Sequence, residues 1–150
     1  TEFIANQIKL TKTDKKIKKN ISLDLTNNPD LAQTIAVTCL GLVIDCDLFG
    51  LHTLKIKETD RLEALKSEIE KFGVDSIHVT ENSLHLKNNS ILKSNVEIDT
   101  YHDHRMAMSF TPLSVLMPIK INDPQVVSKS YVCFWDDLEK LGFKISKINR

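Results

Sequence analysis

The feature that most limits the fold of this chain is that its sequence runs through one order of elements twice. Asp24 and Ala32 stand 75 residues before Asp99 and Ala107; Lys57 stands 72 before Lys129, and Gly73 stands 69 before Gly142. Between these markers the apolar period switches between two and 3.6, the periods of strand and helix. Strands are predicted at 3–10 and 21–25, then a helix at 29–43, with Asn28 as cap and Pro29 in its first turn. Residues 46–56 read in part as a strand. Residues 58–72 form an amphipathic helix with Leu62, Leu65, Ile69 and Phe72 on one face and Gly73 as its stop. Strands at 74–80 and 83–86 complete the first round. The second has a strand at 96–100, a helix at 103–116 interrupted by Pro112, a strand at 119–122, a helix at 130–141 and a strand at 143–148. The expectation is a duplicated β-α-β-α-β(-β) unit, spanning about 21–89 and 96–150, with 1–20 ending a preceding unit. The five lysines within 11–20 read as a solvated hairpin turn, or alternatively as a phosphate-binding patch.

The two rounds contain helices of two kinds. Residues 31–44 and 106–117 are apolar nearly all round, whereas 58–72 keeps a charged face. A helix with no polar face must be buried on every side. The fold class expected is therefore α/β, with helices in the core of the domain. At 150 residues the chain is one domain or a piece of one. It begins at Thr1 with no initiating Met and no signal peptide, and is read as a piece of a longer protein. Lys+Arg and Asp+Glu both number 20, which argues against nucleic acid or a polybasic membrane anchor as partner. The longest apolar run, 35–44, is broken by Thr38 and is about half a membrane span. Cys39, Cys46 and Cys133 form no even framework, which predicts a reducing compartment, the cytoplasm. Cys39 sits among apolar neighbours, and neither Cys46 nor Cys133 has a histidine beside it to make a nucleophile.

The polar residues that stand out lie where strands hand over to helices: Asn28-Pro29-Asp30, Lys57 to Arg61, His102 to Arg105, and Ser128-Lys129-Ser130. If the strands of a unit are parallel, these junctions share one end of the domain. Helix N-termini there present free N–H groups and partial positive charge, suited to phosphate or carboxylate. Lys57, Arg61, Arg105 and Lys129 oppose the helix dipoles, and a bound anion would offset that cost. Plainer readings stand beside this one. Asp30 and Glu58 complement a dipole, Asp60 caps a helix or pairs with Arg61, and Lys57 and Lys129 are surface lysines. His102-Asp103-His104 invites a metal, but no second cluster has ligand spacing, so no metal is expected.

Lys-Glu-Thr-Asp-Arg-Leu at 57–62, Asp-His-Arg-Met-Ala-Met at 103–108 and Pro-Asp-x-Ala-x-Thr at 29–34 resemble the motifs of the EPSP synthase family. Asp-Pro-x-x-x-x-Lys at 123–129 and Leu-Glu-Lys-Leu-Gly at 138–142 add to the likeness, which covers nearly the whole chain. The resemblance implies an inside-out α/β barrel of repeated βαβαββ units, three to a domain, of which this chain is the C-terminal part. It implies transfer of a carboxyvinyl group from phosphoenolpyruvate to the 5-hydroxyl of shikimate 3-phosphate, with no cofactor. By the same resemblance Asp30, Glu58 and His104 are catalytic: Asp30 takes the hydroxyl proton, Glu58 serves the methylene proton and His104 stands beside phosphoenolpyruvate. Arg61, Arg105 and Lys129 hold phosphoenolpyruvate, while Lys57 and Thr53 belong to the shikimate ligand's site. Thr53 stands where the family often has Asn, Gln33 where Met is common, and Ser130-Tyr131-Val132 where Thr-Phe-Pro is usual. The alternatives are the sister transferase acting on UDP-N-acetylglucosamine and a non-catalytic anion-binding module. The family's site lies between two domains, so the expected partner is the remainder of the parent chain. Without it the chain is expected to be inactive and, with apolar sides of 31–44 and 106–117 uncovered, to self-associate.

Overall fold

The computed structural model describes residues 1–14, 16, 18–57, 59–88 and 91–148. Its first round is β3 (Asn20–Asp24), α1 (Ala32–Leu42), β4 (Asp45–Phe49), α2 (Arg61–Glu70), β5 (Ile77–Val79) and β6 (Ser83–Leu86), preceded by a hairpin of β1 (Glu2–Ile4) and β2 (Gln7–Lys9). The second round is β7 (Val96–Ile98), α3 (His104–Phe110), β8 (Ile119–Ile121) and α4 (Phe134–Lys140). β3 and β4 are parallel, β4 and β6 antiparallel, and β5 pairs β6 at the far edge, giving the order β3-β4-β6-β5. β7 and β8 form a separate parallel pair. Parallel neighbours joined through a helix put all the strand-to-helix junctions at the strands' C-terminal ends.

The helices carry the core. Ala32, Ala36, Val37 and Leu40 of α1 meet Met106 and Phe110 of α3 and Leu62, Leu65 and Ile69 of α2 in one buried cluster. Phe72 and Phe110 stack with ring centroids 6.1 Å apart. Each of the Val, Leu, Ile, Met and Phe side chains contributes about 1.5–3 kcal/mol by leaving water. A smaller cluster of Ala107, Val126, Val127 and Phe134 fastens α4 to α3. Residues 75 apart touch each other: Arg105 reaches Asp30, and the hydroxyls of Thr34 and Ser109 are 3.3 Å apart. A Cβ on Gly41 would lie 3.4 Å from a methyl of Leu116, again 75 residues on. α1 and α3 therefore run side by side in the same direction, with Thr34 of one beside Ser109 of the other.

Several expectations need correction. The strand at 3–10 is two strands, because Ala5 takes φ +49° and turns the chain while the apolar alternation continues. β2 and β3 belong to different sheets and are not the two arms of a hairpin; Lys15 and Ile17 of the predicted turn lie outside the described residues. Residues 143–148 form no strand; their alternation supplies a face, but among the described residues no strand lies beside it to pair with. The helix at 130–141 begins only at Phe134, after a 3-10 turn at Pro124–Lys129. Pro112 converts α3 into a 3-10 turn over Thr111–Val115, as a proline inside a helix should. α1 is not buried on every side, and in this chain taken alone the two apolar helices keep uncovered sides, as the sequence also led one to expect. Leu31, Thr34, Thr38 and Leu42 form an exposed stripe, with Val115 and Leu116 exposed beyond α3. No helix among the described residues is long and apolar enough to cross a membrane.

Candidate active site

Each junction residue is placed by the local rule that ends its strand or starts its helix. Pro29 opens a 3-10 turn, Pro29–Leu31, that presents Asp30 ahead of α1; Asn28 makes no side-chain cap there. Asp60 caps α2, accepting from the N–H groups of Leu62 at 3.1 Å and Glu63 at 3.2 Å, which puts Arg61 first in that helix. Asp103 caps α3, accepting from the Arg105 N–H at 2.8 Å. The turn before it is strained, with Tyr101 at φ +53° and His102 at φ +57°, a conformation that costs a residue with a side chain about 1–3 kcal/mol.

Three of the predicted cations converge on Asp30. Arg61 Nη1 donates to its Oδ1 at 2.9 Å, and Lys57 Nζ lies 3.7 Å from the same oxygen. Arg105 Nη2 donates to Oδ2 at 3.2 Å, and Arg105 Nη1 to the Asp30 carbonyl at 3.2 Å. Asp30, Lys57 and Arg105 are more than a third exposed, so this group faces solvent, while Arg61 is buried behind it. The cations are thus partly neutralised by the protein's own carboxylate, which the idea of an anion site built of cations alone did not anticipate. Lys129 is one step removed. It lies at the end of its 3-10 turn rather than at a helix start, and its Nζ donates to the carbonyl of His102, in the turn leading into α3. His104 is mostly buried, and its Nδ1 has no hydrogen-bond partner among the described residues. Thr53 joins none of these groups; its buried Oγ1 likewise has no partner among the described residues. Glu58 lies outside the described residues. No group of three or more His, Cys, Asp or Glu among the described residues could hold a metal ion.

The burial of two carboxylates, Asp103 and Glu68, escaped the sequence reading. Asp103 pairs with Arg61 at 2.6 Å, and Glu68 accepts from Tyr101 Oη at 2.8 Å and from the Asp99 N–H at 3.0 Å. For Glu68 the signal was present, since its spacing puts it on the inner face of α2 with Leu65 and Ile69. Burial and the bond to Glu68 push the Tyr101 phenol up to about 12. A surface cleft of about 530 Å³ lies away from Asp30, lined by Lys71, Lys93, Asp99 and Asn122 among others. Lys71 and Asn122 of this lining both bond to Asp99.

A family model described as EPSP synthase (3-phosphoshikimate 1-carboxyvinyltransferase) matches residues 3–138. The chain is 46% identical to a 3-phosphoshikimate 1-carboxyvinyltransferase of Bacteroides fragilis, an alignment covering 97% of this chain and 36% of that protein. It is 32% identical to the protein of that name from Neisseria meningitidis serogroup C, covering 91% of this chain and 31% of the relative. The chain therefore spans about a third of the length of the curated relatives it matches. Among solved structures, EPSP synthase from Acinetobacter baumannii aligns with a TM-score of 0.63 at 25% identity, over 76% of this chain and 27% of that one.

Proposed function

The chain belongs to the EPSP synthase family, and from that premise we propose that the protein of which it forms a part moves the carboxyvinyl group of phosphoenolpyruvate onto the 5-hydroxyl of shikimate 3-phosphate. The hydroxyl oxygen adds to C2 of phosphoenolpyruvate while C3 gains a proton. The resulting ketal then expels phosphate from C2 as the methyl carbon gives up a proton, leaving the enol ether. Asp30 takes the hydroxyl proton, and Glu58, assigned on its motif alone, serves the proton at C3. Arg61, Arg105 and Lys129 hold the phosphate and carboxylate of phosphoenolpyruvate, with His104 beside them. Lys57 and Thr53 belong to the side of the shikimate ligand. The observation that carries this reading is the convergence of Lys57, Arg61 and Arg105 on the Asp30 carboxylate. A carboxylate among cations supports a base beside an anion site, which the reaction needs together. Arginine suits bidentate contact with phosphate or carboxylate, and lysine acts as a point charge. The unpaired cysteines agree with a place in the cytoplasm.

The test is phosphate release by the full-length parent, offered shikimate 3-phosphate or UDP-N-acetylglucosamine as acceptor. Release is expected with the first alone, and none from this chain by itself. Asp30→Ala should lower kcat by about 10²–10⁴-fold, the usual worth of a general base. Arg105→Ala should weaken phosphoenolpyruvate binding by about 10–150-fold, the worth of one charged hydrogen bond. Wild-type kinetics after Asp30→Ala would remove that residue from the scheme. Release with neither acceptor would leave a non-catalytic anion-binding module.

A further inference from the structure

Asp103 stands where the three inner helices meet, and the roles assigned above leave it unused. Its side chain is 0% exposed. Oδ2 accepts from Arg61 Nε at 2.6 Å and from Gln33 Nε2 at 3.3 Å. Oδ1 accepts from the Arg105 backbone N–H at 2.8 Å and from Arg61 Nη2 at 3.4 Å. One carboxylate thus ties α1 through Gln33, α2 through Arg61 and α3 through its first turn.

A helix cap alone does not require this. Serine or asparagine would satisfy the Arg105 N–H, and neither carries a charge that is costly to bury. The need for a carboxylate comes from Arg61, which is 2% exposed and donates from more than one edge. Its Nε and Nη2 are fixed from behind by Asp103, and its Nη1 points forward to Asp30 at 2.9 Å. An asparagine at 103 that kept the cap would turn its amide N–H₂ toward the Arg61 donors and lose this bond.

We propose that Asp103 is a positioning residue that acts through Arg61, holding the rear edge of the guanidinium so that the forward edge meets an anion, and that Gln33 locks Asp103 in place. This rests on the reading of Arg61 as a ligand of phosphoenolpyruvate. The experiment is a double-mutant cycle in the full-length parent, with kcat and the phosphoenolpyruvate KM measured separately. Asp103→Asn should raise KM by about tenfold or more and change kcat less, the expected loss for one charged hydrogen bond. In an Arg61→Gln background the same change should move KM by less than about twofold, because the group it acts through is gone. A purely structural role would instead lower both backgrounds alike, and equal effects overturn the proposal. Should Asp103→Asn fail to fold, Gln33→Met leaves the ion pair intact and runs the same cycle. A loss of about two- to fivefold is expected with Arg61 present and none without it; equal losses again overturn the proposal. If the parent turns over no phosphoenolpyruvate, the functional reading has failed. The cycle is then read by calorimetry with inorganic phosphate, and equal losses in both backgrounds, or no binding by the wild type, defeat the positioning role.

Discussion

Tyr101 shows how much rests on single side chains. Its hydroxyl donates to the fully buried Glu68 carboxylate, which Lys71 also approaches at 2.7 Å. Burial and this bond raise the phenol to about 12, whereas the unfolded chain titrates near 10. Between those values the native state holds a proton that the unfolded state has lost. Stability is therefore intact below about pH 10 and falls as pH rises from about 10 to about 12. Lys71 acts in the same direction. Burial alone would lower it, but its bonds to Asp99 and Glu68 outweigh that and raise it, so its support also fades in strong alkali. Urea midpoints measured from about pH 9 to about pH 12 should fall steeply in the wild type. Tyr101→Phe should start lower by about 1.5–3 kcal/mol, the worth of a hydrogen bond to a charged group, and decline less steeply. Parallel profiles for the two proteins would show that this bond does not govern the alkaline transition.

At the scale of elements, the end of α1 offers the clearest change to make. The Ile44 N–H bonds to the Cys39 carbonyl at 2.9 Å and the Val43 N–H to the Leu40 carbonyl at 3.2 Å, the paired bonds of a Schellman stop. That stop requires a left-handed residue, and here it is Val43 at φ +55°, β-branched and about half exposed. The conformation costs a residue with a side chain about 1–2 kcal/mol that glycine avoids. Val43→Gly is expected to raise stability by about 1 kcal/mol in chemical denaturation; a loss would mean that the Val43 side chain packs more than its exposure indicates. This device also shows where sequence reading stops. The 3.6-period run located α1, and Gly73, at φ +86°, marked the stop of α2, because glycine is the usual sign. A valine in the same role gives no sign. Asp60 was readable as a cap from its place before α2, whereas the Arg61–Asp103 pair was not, since 42 residues separate the partners and no spacing rule joins them. The gathering of cations was legible in so far as four junctions share one end of parallel strands. That Asp30 would be their common partner depends on side-chain angles, which no periodicity carries.

For the molecule as a whole, the instructive feature is that positions 75 residues apart meet along α1 and α3. Corresponding points of two copies can touch at successive levels only if the copies are related by rotation about an axis running along those helices. The rotation stops short of closure, because α1 keeps an open stripe at Leu31, Thr34, Thr38 and Leu42 and the far side keeps Val115 and Leu116 uncovered. The contact between the units is thus head-to-tail, and each end retains one half of an unmatched joint. Head-to-tail joints build rings when the rotation closes and filaments when it does not, whereas a simple dimer requires one patch to match itself. Sedimentation of this chain should accordingly show a ladder of species growing with concentration, and Leu42→Lys or Leu116→Lys should return it to monomer. A single dimer that survives both changes would mean that a different surface pairs the chains. A repeat joined in this way sets no size of its own, so its growth terminates only where a different surface caps the two uncovered faces.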